Sequence, residues 1–150
     1  MTRGSDGRVG SSGVGGAARG ARWGFVWRVV PASARVNRVG GIPSQRHPLA
    51  ARDLYQVFDT SDLPAGVVNI VTGELDALAK TLAEHDDVEG IWYFGTVEGG
   101  TMIERASAGN LKQTWTEDGA ARDWGGRDGQ GQAFLSRATQ VKNIWIPYGE

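Results

Sequence analysis

At 150 residues and a formal net charge of -1, the chain has room for one ordinary domain, and its 40% hydrophobic and 22% charged content is that of a soluble globular protein. No apolar run approaches the roughly 20 residues needed to cross a bilayer, so neither a membrane partner nor a secretory leader is expected and a cytoplasmic setting is the default. The absence of cysteine excludes disulfides, thiolate metal sites and thiol nucleophiles within this chain.

The charge is unevenly distributed. Residues 1–40 carry seven Arg against one Asp, whereas the remainder carries nine Lys or Arg against sixteen Asp or Glu. Residues 1–22 form a Gly/Arg-rich head with too little apolar surface to offset the entropy of ordering, and disorder is expected there. An Arg-rich arm for nucleic acid and a transit peptide are the alternatives. The glycine content and the lack of amphipathic spacing argue against both, so no nucleic-acid partner is expected.

Trp23 to Val30 is aromatic and β-branched and reads as a strand. Arg35 to Ile42 reads as a second, weakened by Gly40 and Gly41. Pro48 suits a helix start, and Ala50, Leu54, Val57 and Phe58 fall on one apolar face. Val67 to Val71 is a β-rich run between glycines, hence a strand. Leu75, Leu78, Ala79 and Leu82 give an amphipathic helix ending near His85. Ile91 to Phe94 is a buried strand. Thr96 caps a helix to about Ala108, stopped by Gly109-Asn110. Leu111 to Thr116 is a further strand, Ala120 to Gly131 a polar loop, Phe134 to Ala138 a helical turn and Val141 to Ile146 a terminal strand. Strand and helix alternating at this spacing predict a parallel sheet with right-handed crossovers.

The segment Gly95-Thr-Val-Glu-Gly-Gly100 follows a buried strand and opens a helix. Free N–H groups, the positive end of the dipole and the Thr96 hydroxyl suit an anion such as a pyrophosphate. Alone, this pattern does not separate a phosphate site from an ordinary strand-to-helix turn. His47 and His85 have no metal-ligand spacing, and no metal site is expected. Ser61 lacks a Gly-x-Ser-x-Gly setting. Of the six Trp, Trp92, Trp115 and Trp145 fall in strands, where aromatic bulk in a sheet core explains them better than base stacking.

Several stretches occur together, in order. They are Ile42-Pro-Ser-Gln45, Leu63-Pro-Ala-Gly-Val-Val-Asn-Ile-Val-Thr-Gly73, His85 to Val88, Tyr93 to Thr96, and Asn110-Leu-Lys112 leading to Glu117-Asp-Gly119. Jointly they resemble the cofactor domain of aldehyde dehydrogenases over about residues 37 to 119. The resemblance implies an α/β fold with a partial Rossmann-like parallel sheet and flanking helices, plus a C-terminal strand of the type used in oligomerisation. It implies NAD or NADP as cofactor, with Pro43, Ser44, Gly73, Gly95, Thr96 and Gly100 lining its site. Glu117 falls at the family's general-base position. The implied organisation is a cofactor-type domain over 23–119, a loop and short helix over 120–139, and the terminal strand over 140–150.

The departures are as informative. Ile42 and Gln45 stand where the family has a ribose-binding Lys and Glu, so cofactor contacts are weakened or lost. Phe94 replaces a Thr. Asp118 beside Glu117 adds like charge that tends to raise a carboxyl pKa. The family's thiolate nucleophile has no counterpart here, and neither does its oxyanion Asn, since Asn37 sits in a different local sequence. In this respect the chain resembles the degenerate second domain of double-domain aldehyde dehydrogenases and is expected to be a fragment of such a protein. Three functions stay open: a non-catalytic domain used in assembly, through self-association or with a full-length dehydrogenase domain via the terminal strand; aldehyde oxidation with a cysteine from another chain; and an NAD-binding module without turnover. Half a doubly wound sheet is also expected to leave one face partly uncovered.

Overall fold

The computed structural model describes residues 2–8, 11–16, 21–34, 37–117, 122–127 and 131–145. Among the described residues, seven strands and five α-helices follow one another as β1 (Thr2–Arg8), β2 (Ser11–Gly16), α1 (Ala21–Ala34), β3 (Arg38–Ile42), α2 (Leu49–Thr60), β4 (Val68–Ile70), α3 (Leu75–Glu84), β5 (Gly90–Phe94), α4 (Val97–Ala106), β6 (Gln113–Thr116), α5 (Gln132–Arg137) and β7 (Thr139–Trp145), with a 3₁₀ turn over Ser107–Asn110. Five strands form one sheet in the order β4-β3-β2-β5-β6, parallel throughout. The order runs outward from β2 in one direction, then crosses to β5 and β6. This reversal is the switch point of a doubly wound sheet.

Helices cover both faces, and β5 shows why. All five of its residues are buried, and its side chains alternate between faces. Trp92 and Phe94 join Phe25, Val29 and Ala32 of α1, Ala51 of α2, Phe134 of α5 and Trp124. Ile91 and Tyr93 join Ile42, Ala79 and Ala83 of α3, and Ile103 of α4. The expectation of a partly uncovered face is therefore corrected: α1, α2 and α5 close one side, and α3 and α4 close the other.

Two further expectations give way. The head is not without order, because β1 and β2 lie inside it and β2 is the central strand of the sheet. Its register sets Gly13 beside Gly40 and Val14 beside Gly41. Ladder hydrogen bonds from both neighbours hold such a strand. Trp23 to Val30, expected as a strand, lies within α1. Phe25, Val29 and Ala32 recur at helical spacing and are buried, which outweighs the local β preference. The two glycines that weaken β3 on paper serve this packing: a Cβ at Gly41 would lie 2.6 Å from Cζ of Phe25.

The remaining elements fall close to expectation. The stop after α4 differs in detail, since the left-handed conformation is taken by Leu111 (φ 55°) rather than by Gly109. β7 pairs antiparallel with β1, Thr2 opposite Trp145 through Arg8 opposite Thr139, in a two-stranded ribbon apart from the main sheet.

Candidate functional site at the C-terminal edge of the sheet

A parallel sheet delivers the ends of all its strands to one edge. Here β3 runs into Pro43-Ser44, β4 ends just before Gly73, β5 runs into Gly95-Thr96, and β6 runs into Glu117. Every position expected to line a cofactor or act as base thus lies at or next to that edge. The sheet then divides them. Tyr93 and the α4 start belong to the α3/α4 face, whereas Glu117 turns to the aromatic face.

On the first side, Thr96 caps α4: its Oγ1 accepts the Gly99 N–H at 3.1 Å, and its carbonyl accepts the Gly100 N–H at 2.9 Å. Gly100 is buried against Thr116, with a hypothetical Cβ 3.4 Å from the Thr116 Cβ. The space left by the other glycines is already filled. The Tyr93 hydroxyl lies 2.3 Å from where a Gly95 Cβ would be and 2.0 Å from a Gly99 Cβ. That hydroxyl donates to Oδ1 of Asp76, in the first turn of α3, at 2.6 Å. Burial, followed by the Asp76 hydrogen bond, raises the phenol pKa, against the opposing pull of Thr96 hydrogen bonds. This cradle does not fit a pyrophosphate, because a protein oxygen stands in it and a carboxylate stands behind that oxygen. Nor does the neighbouring strand end offer ribose ligands: Ile42 is buried in the α3/α4 core, and Gln45 is exposed. Ser44 is buried, and Gly73 is exposed beside Leu78.

On the second side, Glu117 is largely buried and held by Arg122. Nε of Arg122 donates to Oε2 at 3.0 Å, and Nη2 donates to Oε1. The same guanidinium lies over Phe94, Trp115, Trp124 and Phe134, 5.3–5.8 Å from the ring centres. Trp92, Phe94, Trp115 and Phe134 pack edge-on or tilted against one another beneath it. Arg28, fully buried, lies over the rings of Phe94 and Trp124, and its Nε donates to the Gly24 carbonyl at 2.5 Å. Burial pushes its pKa down to about 9, so it remains a cation at neutral pH. A carboxylate engaged on both oxygens by an arginine has its negative charge stabilised and its proton affinity lowered, which opposes general-base work in this arrangement. Asp118, expected to perturb Glu117, lies outside the described residues.

Two other motif residues turn out to be structural. Asn37 is buried and its Nδ2 donates to the carbonyls of Ala32 (2.9 Å) and Ala138 (3.0 Å), tying the end of α1 to the end of α5. Lys112 donates through Nζ to the carbonyls of Leu82 (3.2 Å) and His85 (2.7 Å), placing a cation at the C-terminus of α3. Asn110 donates to Asp86 and Val88. Among the described residues, no three His, Cys, Asp or Glu side chains converge as metal ligands, and no helix is long and apolar enough to cross a membrane.

Sequence reasoning passed over Tyr93 and Arg122. The signal for Tyr93 is the period of two along β5, which puts residue 93 under α4. Arg122 carries no comparable signal, since its role depends on tertiary contacts with the aromatic rings and Glu117.

The fold and the motif order have clear counterparts. NADP/NAD-dependent aldehyde dehydrogenase PuuC of Escherichia coli (strain K12) is 34% identical over 94 residues, covering 62% of this chain and 19% of that protein. The chain therefore spans about a fifth of the length of such curated relatives. The crystal structure of PnpE from Pseudomonas sp. WBC-3 superposes with a TM-score of 0.74 at 28% identity, over 78% of this chain and 24% of that one. A structure of indole-3-acetaldehyde dehydrogenase complexed with NAD+ superposes with a TM-score of 0.69 at 26% identity, over 78% of this chain and 24% of that one. The model of the aldehyde dehydrogenase family matches residues 24–124, more than half of the sequence, and on that match the chain belongs to the aldehyde dehydrogenase family.

Proposed function

We propose that this chain is a non-catalytic member of its family, a cofactor-domain scaffold used in assembly. The observation that carries the reading is the ion pair at the end of β6. Glu117, at the family's general-base position, has both oxygens engaged by Arg122, and no residue of the chain is a cysteine that could form the thiohemiacetal preceding hydride transfer. The β1–β7 ribbon supports the assembly role. It stands apart from the five-stranded sheet, and a two-stranded ribbon alone is marginal in water. Pairing with a strand of a second copy, or of a full-length dehydrogenase domain, would satisfy its open edge.

Light scattering on the purified chain, alone and mixed with a full-length dehydrogenase, tests this reading. A mass of two or more chains, or a mixed complex, is expected. A strict monomer under both conditions contradicts it.

A further inference from the structure

We propose that the phenol of Tyr93 is a built-in occupant of the anion cradle at the start of α4, standing where a phosphate oxygen would stand and keeping pyrophosphate groups away from this strand end. The inference deepens the scaffold reading of the same sheet edge and rests on it.

Three observations carry it. The first is space. Gly95 and Gly99 are the residues whose missing side chains would let a ligand approach the backbone, and the Tyr93 oxygen lies within 2.3 Å of both hypothetical Cβ positions. The second is chemistry. A phosphate oxygen at a helix N-terminus accepts from backbone N–H and hydroxyl groups. Here the Gly99 N–H donates to Thr96 Oγ1 at 3.1 Å and the Gly100 N–H to the Thr96 carbonyl at 2.9 Å, so these donors of the turn already have protein partners. The third is charge. Asp76 lies 2.6 Å behind the phenol, so an incoming pyrophosphate meets a carboxylate as well as an occupied cradle. Tyr93 is fully buried, with its ring packed among Ile91, Ile103 and the alanines of α3, so displacing it would open the core.

The test uses the full chain and its amide NMR spectrum, with inorganic pyrophosphate and NAD as separate probes. In the unmodified chain, no saturable shift is expected at the Gly95, Thr96 and Gly99 amides up to about 5 mM of either probe. Tyr93→Phe keeps the ring and removes the oxygen, and pyrophosphate affinity at those amides is expected to rise at least about tenfold. Asp76→Asn, on the exposed side of the pair, is expected to move affinity in the same direction by less, and it serves if Tyr93→Phe does not fold. Saturable binding at those amides in the unmodified chain overturns the proposal. So does a folded Tyr93→Phe, or failing that Asp76→Asn, that binds no better. Aldehyde turnover is a separate readout: it would sink the scaffold reading, whereas cradle binding without turnover would sink this one alone.

Discussion

Arg122 grips Glu117 at both carboxylate oxygens while its guanidinium lies over the aromatic rings on one face of the sheet. The pair joins the end of β6 to the loop before α5, and both side chains are about four-fifths buried, 18% and 17% exposed. Arg122→Lys retains the charge but loses the two-pronged fit and the stacking. A loss of about 2 kcal/mol in urea unfolding is expected, with Glu117→Gln costing a similar amount. A double-mutant cycle over the two positions should show strong coupling, and additive losses would contradict the pairing.

Gly99 and Gly100 are adjacent and both buried, yet they face different neighbours. Gly99→Ala drives a methyl into the Tyr93 oxygen and is expected to cost about 3 kcal/mol. Gly100→Ala meets Thr116 at ordinary contact distance and gains helix propensity, so its effect should stay within about 1 kcal/mol. Thermal unfolding of the two variants side by side checks the contrast.

Asn37 bridges two carbonyls that are otherwise far apart in sequence. Asn37→Ala leaves both without this donor and is expected to destabilise by about 2 kcal/mol. Asn37→Asp should be worse, since a carboxylate faces two carbonyl oxygens. A neutral outcome for either would remove the clamp from the account.

Because its phenol pKa is raised in the folded state, Tyr93 binds its proton more tightly there than in the unfolded chain. Its contribution is therefore fully present below the ordinary tyrosine value near 10 and is lost as pH rises above it toward the folded value. Comparing the unmodified chain with Tyr93→Phe isolates this group from Arg28, which shifts stability in the opposite direction over part of the same range. The stability difference between the two proteins should be constant from about pH 7 to 9 and shrink above about pH 10.

How much of this was legible in the sequence depends on where the stabilising partner sits. α2, α3, β5 and α4 follow their apolar periods, and their faces pack locally against the sheet, so pattern alone located them. β2 defeated the same reasoning: Ser-Ser-Gly-Val-Gly-Gly has no apolar pattern and is a strand only because two neighbours hydrogen-bond it. In α1, aromatic and β-branched residues mask the helical spacing of Phe25, Val29 and Ala32. At the site, the motif positions were found, but not what fills them. The period of two along β5 places Tyr93 under α4, but its contact with Asp76 and the grip of Arg122 on Glu117 depend on the completed fold.

The most direct measurement of the central claim is steady-state oxidation of a short aliphatic aldehyde by the purified chain with NAD, followed by the absorbance of the reduced cofactor. No reduction above the uncatalysed rate is the expected result, and Glu117→Gln should leave that baseline where it is. Saturable cofactor reduction that disappears in Glu117→Gln would contradict the account.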